Sequence, residues 1–248
     1  MNKLYTVLSN SLIAYETYQM VLYGDTSTIT NPGQFINIKV DDSYQNFLRR
    51  PISICDYDKN KITIIYKVFG SGTKRLSKKR MLDTLDILSP LGNGFTVETK
   101  AIRQLLIGGG VGVPPLYGLA KQLHKQNISF DVVLGFNNKY DVFLEGMFRS
   151  LGAKVYVTTM DGSYGYKGNV LNLIQKKKIS FDYYYACGPN SMLEAIVKQG
   201  WIGQLSFEER VGCGFGTCMG CSHETVDGYK RICKEGPVLE SKEVVLHA

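Results

Sequence analysis

Four cysteines near the C-terminal end, Cys213, Cys218, Cys221 and Cys233, constrain this chain more than any other feature. Their spacing is C-x4-C-x2-C-x11-C. A plant-type [2Fe–2S] cluster uses C-x4-C-x2-C with a distant fourth cysteine. Four thiolates must converge on two irons, and a short loop must wrap around them. Gly212, Gly214, Gly216 and Gly220 lie among the ligands, where small residues let backbone N–H groups approach the sulfurs. Such hydrogen bonds stabilise thiolates and raise the reduction potential. Zinc is the competing metal, but zinc ribbons prefer two C-x2-C pairs, and the first interval here is x4. Local spacing therefore favours iron–sulfur over zinc. The tight turn is expected to place Cys218 and Cys221 nearest the surface.

The other two cysteines, Cys55 and Cys187, stand alone. The first twenty residues lack a sustained apolar run, so no secretory signal is expected. The low-charge stretch 104–120 is broken by five Gly and two Pro and does not read as a membrane span. A cytoplasmic chain is the expectation, and there cysteines read as ligands or free thiols before disulfides. The net charge of +7 is unevenly spread. Residues 1–98 hold 12 Lys+Arg against 9 Asp+Glu, 99–206 hold 12 against 6, and 207–248 hold 5 against 7. A cysteine finger that gripped nucleic acid would be the basic part; this one is acidic. The excess in the body of the chain suits anionic dinucleotides instead. Neither nucleic acid nor a membrane is expected as a partner.

At 248 residues the chain has room for two compact domains and an appendage. Tyr5–Ser9, Gln34–Val40, Lys61–Val68 and Asp86–Leu88 are short β-branched and aromatic runs separated by turn clusters, which predicts a small antiparallel barrel. From Arg103 strands alternate with helices. Buried-strand runs at Gln104–Ile107, Phe130–Gly135, Lys154–Thr158 and Asp182–Ala186 are interleaved with helical spacing at Leu116–Gln126, Asp141–Leu151, Gly168–Lys177 and Asn190–Gln199. That alternation predicts a parallel sheet with right-handed crossovers. The fold class is thus β plus α/β: an N-terminal antiparallel β-barrel (1–98), a doubly wound parallel-sheet nucleotide domain (99–206) and a C-terminal iron–sulfur segment (207–248).

Gly108-Gly109-Gly110-Val111-Gly112-Val113-Pro114-Pro115 lies between a predicted strand and helix, where glycine backbone can meet a pyrophosphate. It departs from G-x-G-x-x-G, since Pro115 takes the last glycine's place, and alone it could be only a tight turn. Cys187-Gly188-Pro189 ends the last parallel strand, where open α/β sheets place ligands. In the first third, Arg49-Arg50-Pro51-Ile52-Ser53 offers guanidinium and hydroxyl groups, and Gly70-Ser71-Gly72-Thr73 a second phosphate-sized turn. The basic runs Lys74–Arg80 and Lys176–Lys178 read as exposed helix faces.

The series RPIS, IYK, GSGT, GGGVGVPP and ACGP, in that order and spacing, resembles the ferredoxin–NADP reductase superfamily over residues 1–206. The stretch from Glu208-Glu209-Arg210 to Cys233-Lys234-Glu235-Gly236-Pro237-Val238 is similar to the electron-transfer subunits of class 1B dihydroorotate dehydrogenases. This resemblance implies FAD on the first domain and exchangeable NAD on the second. It places Arg50, Pro51, Ile52 and Ser53 at the flavin ribityl and pyrophosphate, Ile65, Tyr66 and Lys67 along the flavin, and Gly72 and Thr73 at its phosphates. Gly108, Gly109, Gly110, Gly112, Cys187, Gly188 and Pro189 would receive the dinucleotide, with Asp161-Gly162 on the same side and Cys187 either near the nicotinamide or a buried core thiol. It also implies a separate FMN-containing catalytic subunit that oxidises dihydroorotate in pyrimidine synthesis, in a heterotetramer of two of each.

The three cofactors belong together chemically. A nicotinamide exchanges two electrons at once and an iron–sulfur cluster one at a time, while a flavin can do both. Such a relay needs little acid–base machinery, and the three histidines, His124, His223 and His247, form no evident catalytic motif; no catalytic residue is assigned. A diaphorase serving another dehydrogenase and a zinc-stabilised binding module are the alternatives, the latter requiring zinc without flavin. The segment Gly135–Asp141 carries neither a clear acid for a ribose hydroxyl nor an Arg for a 2′-phosphate, since Asp141 could belong to the next helix. NAD is implied by the resemblance alone.

Overall fold

In the computed structural model, which describes residues 2–41, 43–98 and 100–246, the β-rich third builds six strands. Thr99, at the expected junction of the first two domains, and His247 lie outside the described residues. The strands are β1 (Asn2–Ala14), β2 (Thr17–Tyr23), β3 (Phe35–Lys39), β4 (Arg50–Asp58), β5 (Lys61–Lys67) and β6 (Thr84–Leu91). They close antiparallel in the order β1-β2-β5-β4-β3-β6, and closure leaves no edge to pair with another chain. Val7, Met20, Leu22, Ile36, Ile38, Ile62, Ile64 and Ile87 fill the interior. Period-two alternation therefore sends Phe35 and Asn37 of β3 to the outer wall. The glycine turn expected at 70–73 opens a short helix, α1 (Ser71–Leu76).

The second layer is a seven-stranded sheet. Its parallel strands are β7 (Gln104–Gly109), β8 (Phe130–Phe136), β9 (Lys154–Thr159), β10 (Tyr166–Lys167), β11 (Tyr183–Cys187) and β12 (Gly203–Ser206). Helices α2 (Val113–Lys125), α3 (Glu145–Ser150), α4 (Val170–Lys177) and α5 (Asn190–Val197) connect them. Strand order runs β10-β9-β8-β7-β11-β12, so the winding direction reverses between β7 and β11. That reversal opens a crevice at the carboxyl ends of the two strands. Helix α3 starts at Glu145, later than the expected Asp141. The Asn138 side chain accepts the Tyr140 N–H at 2.9 Å, and Leu144 takes a φ of 62°, so the chain turns before the helix begins. No described helix is long and apolar enough to cross a membrane.

The C-terminal segment leaves the sheet at Phe207 and forms a small hairpin of β13 (Ser222–Thr225) and β14 (Gly228–Arg231). It returns as β15 (Val238–Glu240), which pairs antiparallel with β12 at the edge of the sheet. Asn93, just past the barrel, fastens this return. Its backbone N–H donates to Gly236 O at 2.7 Å. Its amide donates to Glu235 O and Val238 O at 2.9 and 2.8 Å, and its Oδ1 accepts the Val238 N–H at 3.1 Å. Asn93→Ala removes three side-chain bonds and should cost about 1–3 kcal/mol. Limited proteolysis and denaturant melts should show the segment after Phe207 cut sooner and the midpoint lowered; an unchanged pair of measurements would refute the clamp.

Candidate functional site

The loop that leaves the sheet at Phe207 brings the four cysteines together as two pairs. Cys213 lies beside Cys218, and Cys233 beside Cys221, each reaching its neighbour's sulfur through its own backbone N–H. Backbone donors surround the sulfurs: Thr217 N–H points at Cys213 Sγ (3.3 Å), Cys213 and Gly220 N–H at Cys218 Sγ (both 3.4 Å), and Cys233 N–H at Cys221 Sγ (3.4 Å). Gly220 is itself a donor, and a side chain at Gly212 would press on Cys218 Sγ at 3.1 Å. Burial works against ionising Cys213, yet the backbone N–H groups of Cys218, Phe215 and Thr217 bring its thiol down to about 6. Burial and the neighbouring Cys221 push Cys233 up to about 12.

Among the described residues, no group of three or more His, Cys, Asp or Glu side chains is arranged to hold a metal ion. Four cysteines on one loop are the ligand set that an iron–sulfur group would take, since its irons are held by thiolates. Cys218 is exposed as expected, but Cys221 is buried. Its side chain turns inward to pack with Phe207, Ile232 and Cys233 rather than outward with the turn. Arg231 braces the loop by donating to Gly216 O and to Glu235; the guanidinium hydrogen bond holds the Glu235 carboxyl at about 2.

Beside this loop lies a cavity between barrel, sheet and C-terminal segment. Arg50, Pro51, Ile52, Ser53, Ile65, Tyr66, Lys67 and Thr73 line it, together with Phe35, Phe207, Glu208 and Val211. Gly72 does not line it, and its role is spacing: a Cβ there would fall 2.3 Å from Arg50 Nε and shift the guanidinium from its place across α1. Arg50 is held from behind by Asn46, whose Oδ1 accepts from Arg50 at 3.1 Å and from Ser71 Oγ at 3.0 Å. Tyr66 turns its ring into the barrel, where its hydroxyl donates to Asn10 at 2.9 Å. Burial keeps that phenol protonated.

A second cavity, about 650 Å³, fills the crevice between β7 and β11, a size typical of small-molecule sites. Gly109, Gly110, Gly112, Gly188 and Pro189 line it; Gly108 and Cys187 stand behind that wall. A Cβ at Gly112 would lie 2.4 Å from the Cys187 carbonyl, so the two turns touch backbone to backbone. The Cys187 side chain packs in the core, and burial raises its thiol. Asp141 lines the cavity but is already engaged: it pairs with Lys67 Nζ at 2.6 Å and accepts from Asn138 at 3.0 Å. Asp161 lies exposed in the turn after β9, accepting from Ser163 N–H and Oγ at 2.9 and 2.7 Å, and these bonds lower its carboxyl.

Lys67, Phe69, Val111 and Glu208 line both cavities, so the two meet at a common seam. Phe69 immediately precedes the 70–73 turn and Val111 lies within the 108–115 motif, but nothing in their residue types marks them. Thr158, fully buried in the second cavity's wall with an unpartnered hydroxyl, was equally invisible before folding.

Comparisons with known proteins agree with this geometry. The profile of the iron–sulfur cluster binding domain of dihydroorotate dehydrogenase B matches residues 208–245, and that of the oxidoreductase NAD-binding domain matches residues 106–198. The chain is 45% identical, over 97% of both sequences, to the dihydroorotate dehydrogenase B (NAD(+)) electron transfer subunit of Bacillus caldolyticus. Its counterpart in Fusobacterium nucleatum is 43% identical over 96% of both. Among solved structures, a chain of the NADH-dependent reduced ferredoxin-NADP oxidoreductase superposes with a TM-score of 0.87, 28% identity and coverage of 98% of this chain and 90% of that one. Phthalate dioxygenase reductase shares the fold at a TM-score of 0.66, covering 90% and 86% at 16% identity.

Glu208 keeps an exposed edge, but the cavity walls around it partly desolvate its carboxyl and raise it above its ordinary value of 4.5. Its ionisation therefore opposes folding: the penalty is absent below that value and grows as pH rises through it. Glu208→Gln should raise the melting temperature at neutral pH, and the gain should vanish as pH falls below the ordinary carboxylate range. A gain independent of pH would contradict this.

Proposed function

Because this chain belongs to the family of dihydroorotate dehydrogenase B (NAD(+)) electron transfer subunits, we infer that it carries electrons from a catalytic partner subunit to NAD+. The observation that carries this reading is the adjacency of the paired cysteines to two cavities that share one seam. Cys213, Cys218, Cys221 and Cys233 would hold a [2Fe–2S] cluster. Arg50, Ser53, Thr73 and the Ile65–Lys67 strand end would hold FAD, and Gly109–Gly112 with Gly188-Pro189 would receive NAD. When bound, the flavin supplies the exchange between two-electron and one-electron chemistry that neither neighbour performs.

The chain's own residues then position and insulate. Arg50, locked by Asn46 and laid over Gly72, presents a fixed positive charge to a pyrophosphate. Phe69 and Val111 at the seam exclude water where the two ring systems would meet. The Lys67–Asp141 pair ties the barrel to the nucleotide domain at that place. Asp161, exposed and ionised beyond β9, is the acidic group we assign to the ribose hydroxyls, where it would repel a 2′-phosphate. We place the protein in the cytoplasm, with an FMN-containing partner that oxidises dihydroorotate, in a complex of two copies of each subunit. Exposed Cys218 marks the face such a partner would approach.

The preparation should contain flavin, iron and acid-labile sulfide, and co-purify with a dihydroorotate-oxidising subunit; another dehydrogenase in its place would support a different diaphorase. Cys218→Ala should abolish NAD+ reduction by dihydroorotate in the complex while sparing most NADH oxidation with ferricyanide. Equal loss of both would mean that the loop is structural. Turnover with NADH should exceed that with NADPH, and Asp161→Asn should narrow the gap; an unaltered ratio would remove Asp161 from that role.

A further inference from the structure

Along β3, Ile36 and Ile38 fill the barrel, while Phe35 and Asn37 face the C-terminal segment. An outward amide on a barrel is ordinarily hydrated. Asn37 is instead 0% exposed, and neither its Nδ2 nor its Oδ1 has a hydrogen-bond partner. Buried amides of this kind are rare and call for a partner that completes the site.

The cysteine loop is what covers it. A Cβ built at Gly214 would stand 2.7 Å from Asn37 Nδ2 and 3.4 Å from Leu91 Cδ1. Gly214 has a φ of 84° and directly follows Cys213. Glycine here is required twice, by the left-handed backbone and by the amide against it. The loop's own N–H groups already point at the sulfurs of Cys213 and Cys218. Asn37 Nδ2 stands against the same loop from the barrel wall, with its donor unspent. Its pairing partner on β4 is Pro51, a wall residue of the flavin-side cavity.

We propose that Asn37 is an outer-sphere donor to the iron–sulfur site, its Nδ2–H bonding a sulfur of the cluster held by Cys213 and its partners. The inference rests on the cluster assignment made above. A donor to sulfur stabilises the reduced, more negative state and so raises the reduction potential. Asn37 is thus a positioning and tuning residue: it acts on the potential and seats the loop against the barrel.

The test is an EPR-monitored redox titration of the purified chain with its cofactors, alongside iron and labile-sulfide analysis. Asn37→Leu keeps the size and removes the donor. It should retain iron, leave the flavin potential in place and make the cluster about tenfold harder to reduce, a fall of about 59 mV for a one-electron couple. Full iron content with an unshifted cluster potential would overturn the proposal. If Asn37→Leu takes up no iron, Asn37→Thr and Asn37→Asp decide. Loading in the Thr variant alone, which keeps a donor, supports the hydrogen bond; loading in both or in neither overturns it. Failure of the cluster assignment is distinct, since the unaltered chain would then lack iron, labile sulfide and the EPR signal.

Discussion

The antiparallel pairing of Gln204–Ser206 with Val238–Glu240 is the constraint on which the site depends. It makes the cysteine segment a loop between two strands of one sheet, anchored at both ends, rather than a tail. Phe207 N–H reaches back to Pro237 O at 2.9 Å, and the Asn93 bonds fasten the same return to the barrel. With its ends fixed, the loop has little freedom left, and its sulfurs meet backbone donors in place. Anchoring of this kind serves an electron carrier, because a loop held at both ends presents its ligands from a rigid frame.

That anchoring also builds the first cavity, whose walls come from barrel, sheet and C-terminal segment together. The barrel supplies charge and hydroxyls through Arg50 and Ser53, and the returning loop supplies Phe207 and Val211. The crevice at the winding reversal supplies the second cavity, and Lys67, Phe69, Val111 and Glu208 join the two. Chemistry at such a seam asks for proximity and dryness more than for acids and bases. The sparse histidines fit this; His223 pairs with Glu209 at 3.0 Å.

Glycine recurs in the structure for distinct reasons. Gly72 makes room for a guanidinium, Gly112 lets two turns touch through their backbones, and Gly214 yields to a buried amide. In each case a side chain would collide with the group that the site needs at that point. The motifs read as glycine-rich phosphate turns are thus partly packing devices, as the position of Gly72 behind Arg50 illustrates.

Local pattern in the sequence determined the strand and helix rhythm, the barrel followed by a parallel sheet, and the cysteine spacing. Those features depend on residues near one another along the chain, so periodicity and interval suffice to read them. Which cysteine is exposed did not follow from the turn, because Cys221 is turned inward by Phe207 and Ile232, some of which lie many residues away. Likewise Asp141 binds Lys67 from another domain, and Glu208 is brought to a seam formed by three segments. Asn37 is the clearest case. In sequence it is one polar residue in a strand; only the closure of the barrel and the return of the chain through β15 bury it against the cysteine loop. Burial and long-range pairing are properties of the assembled fold, and they decided which side chains surround the metal-binding loop.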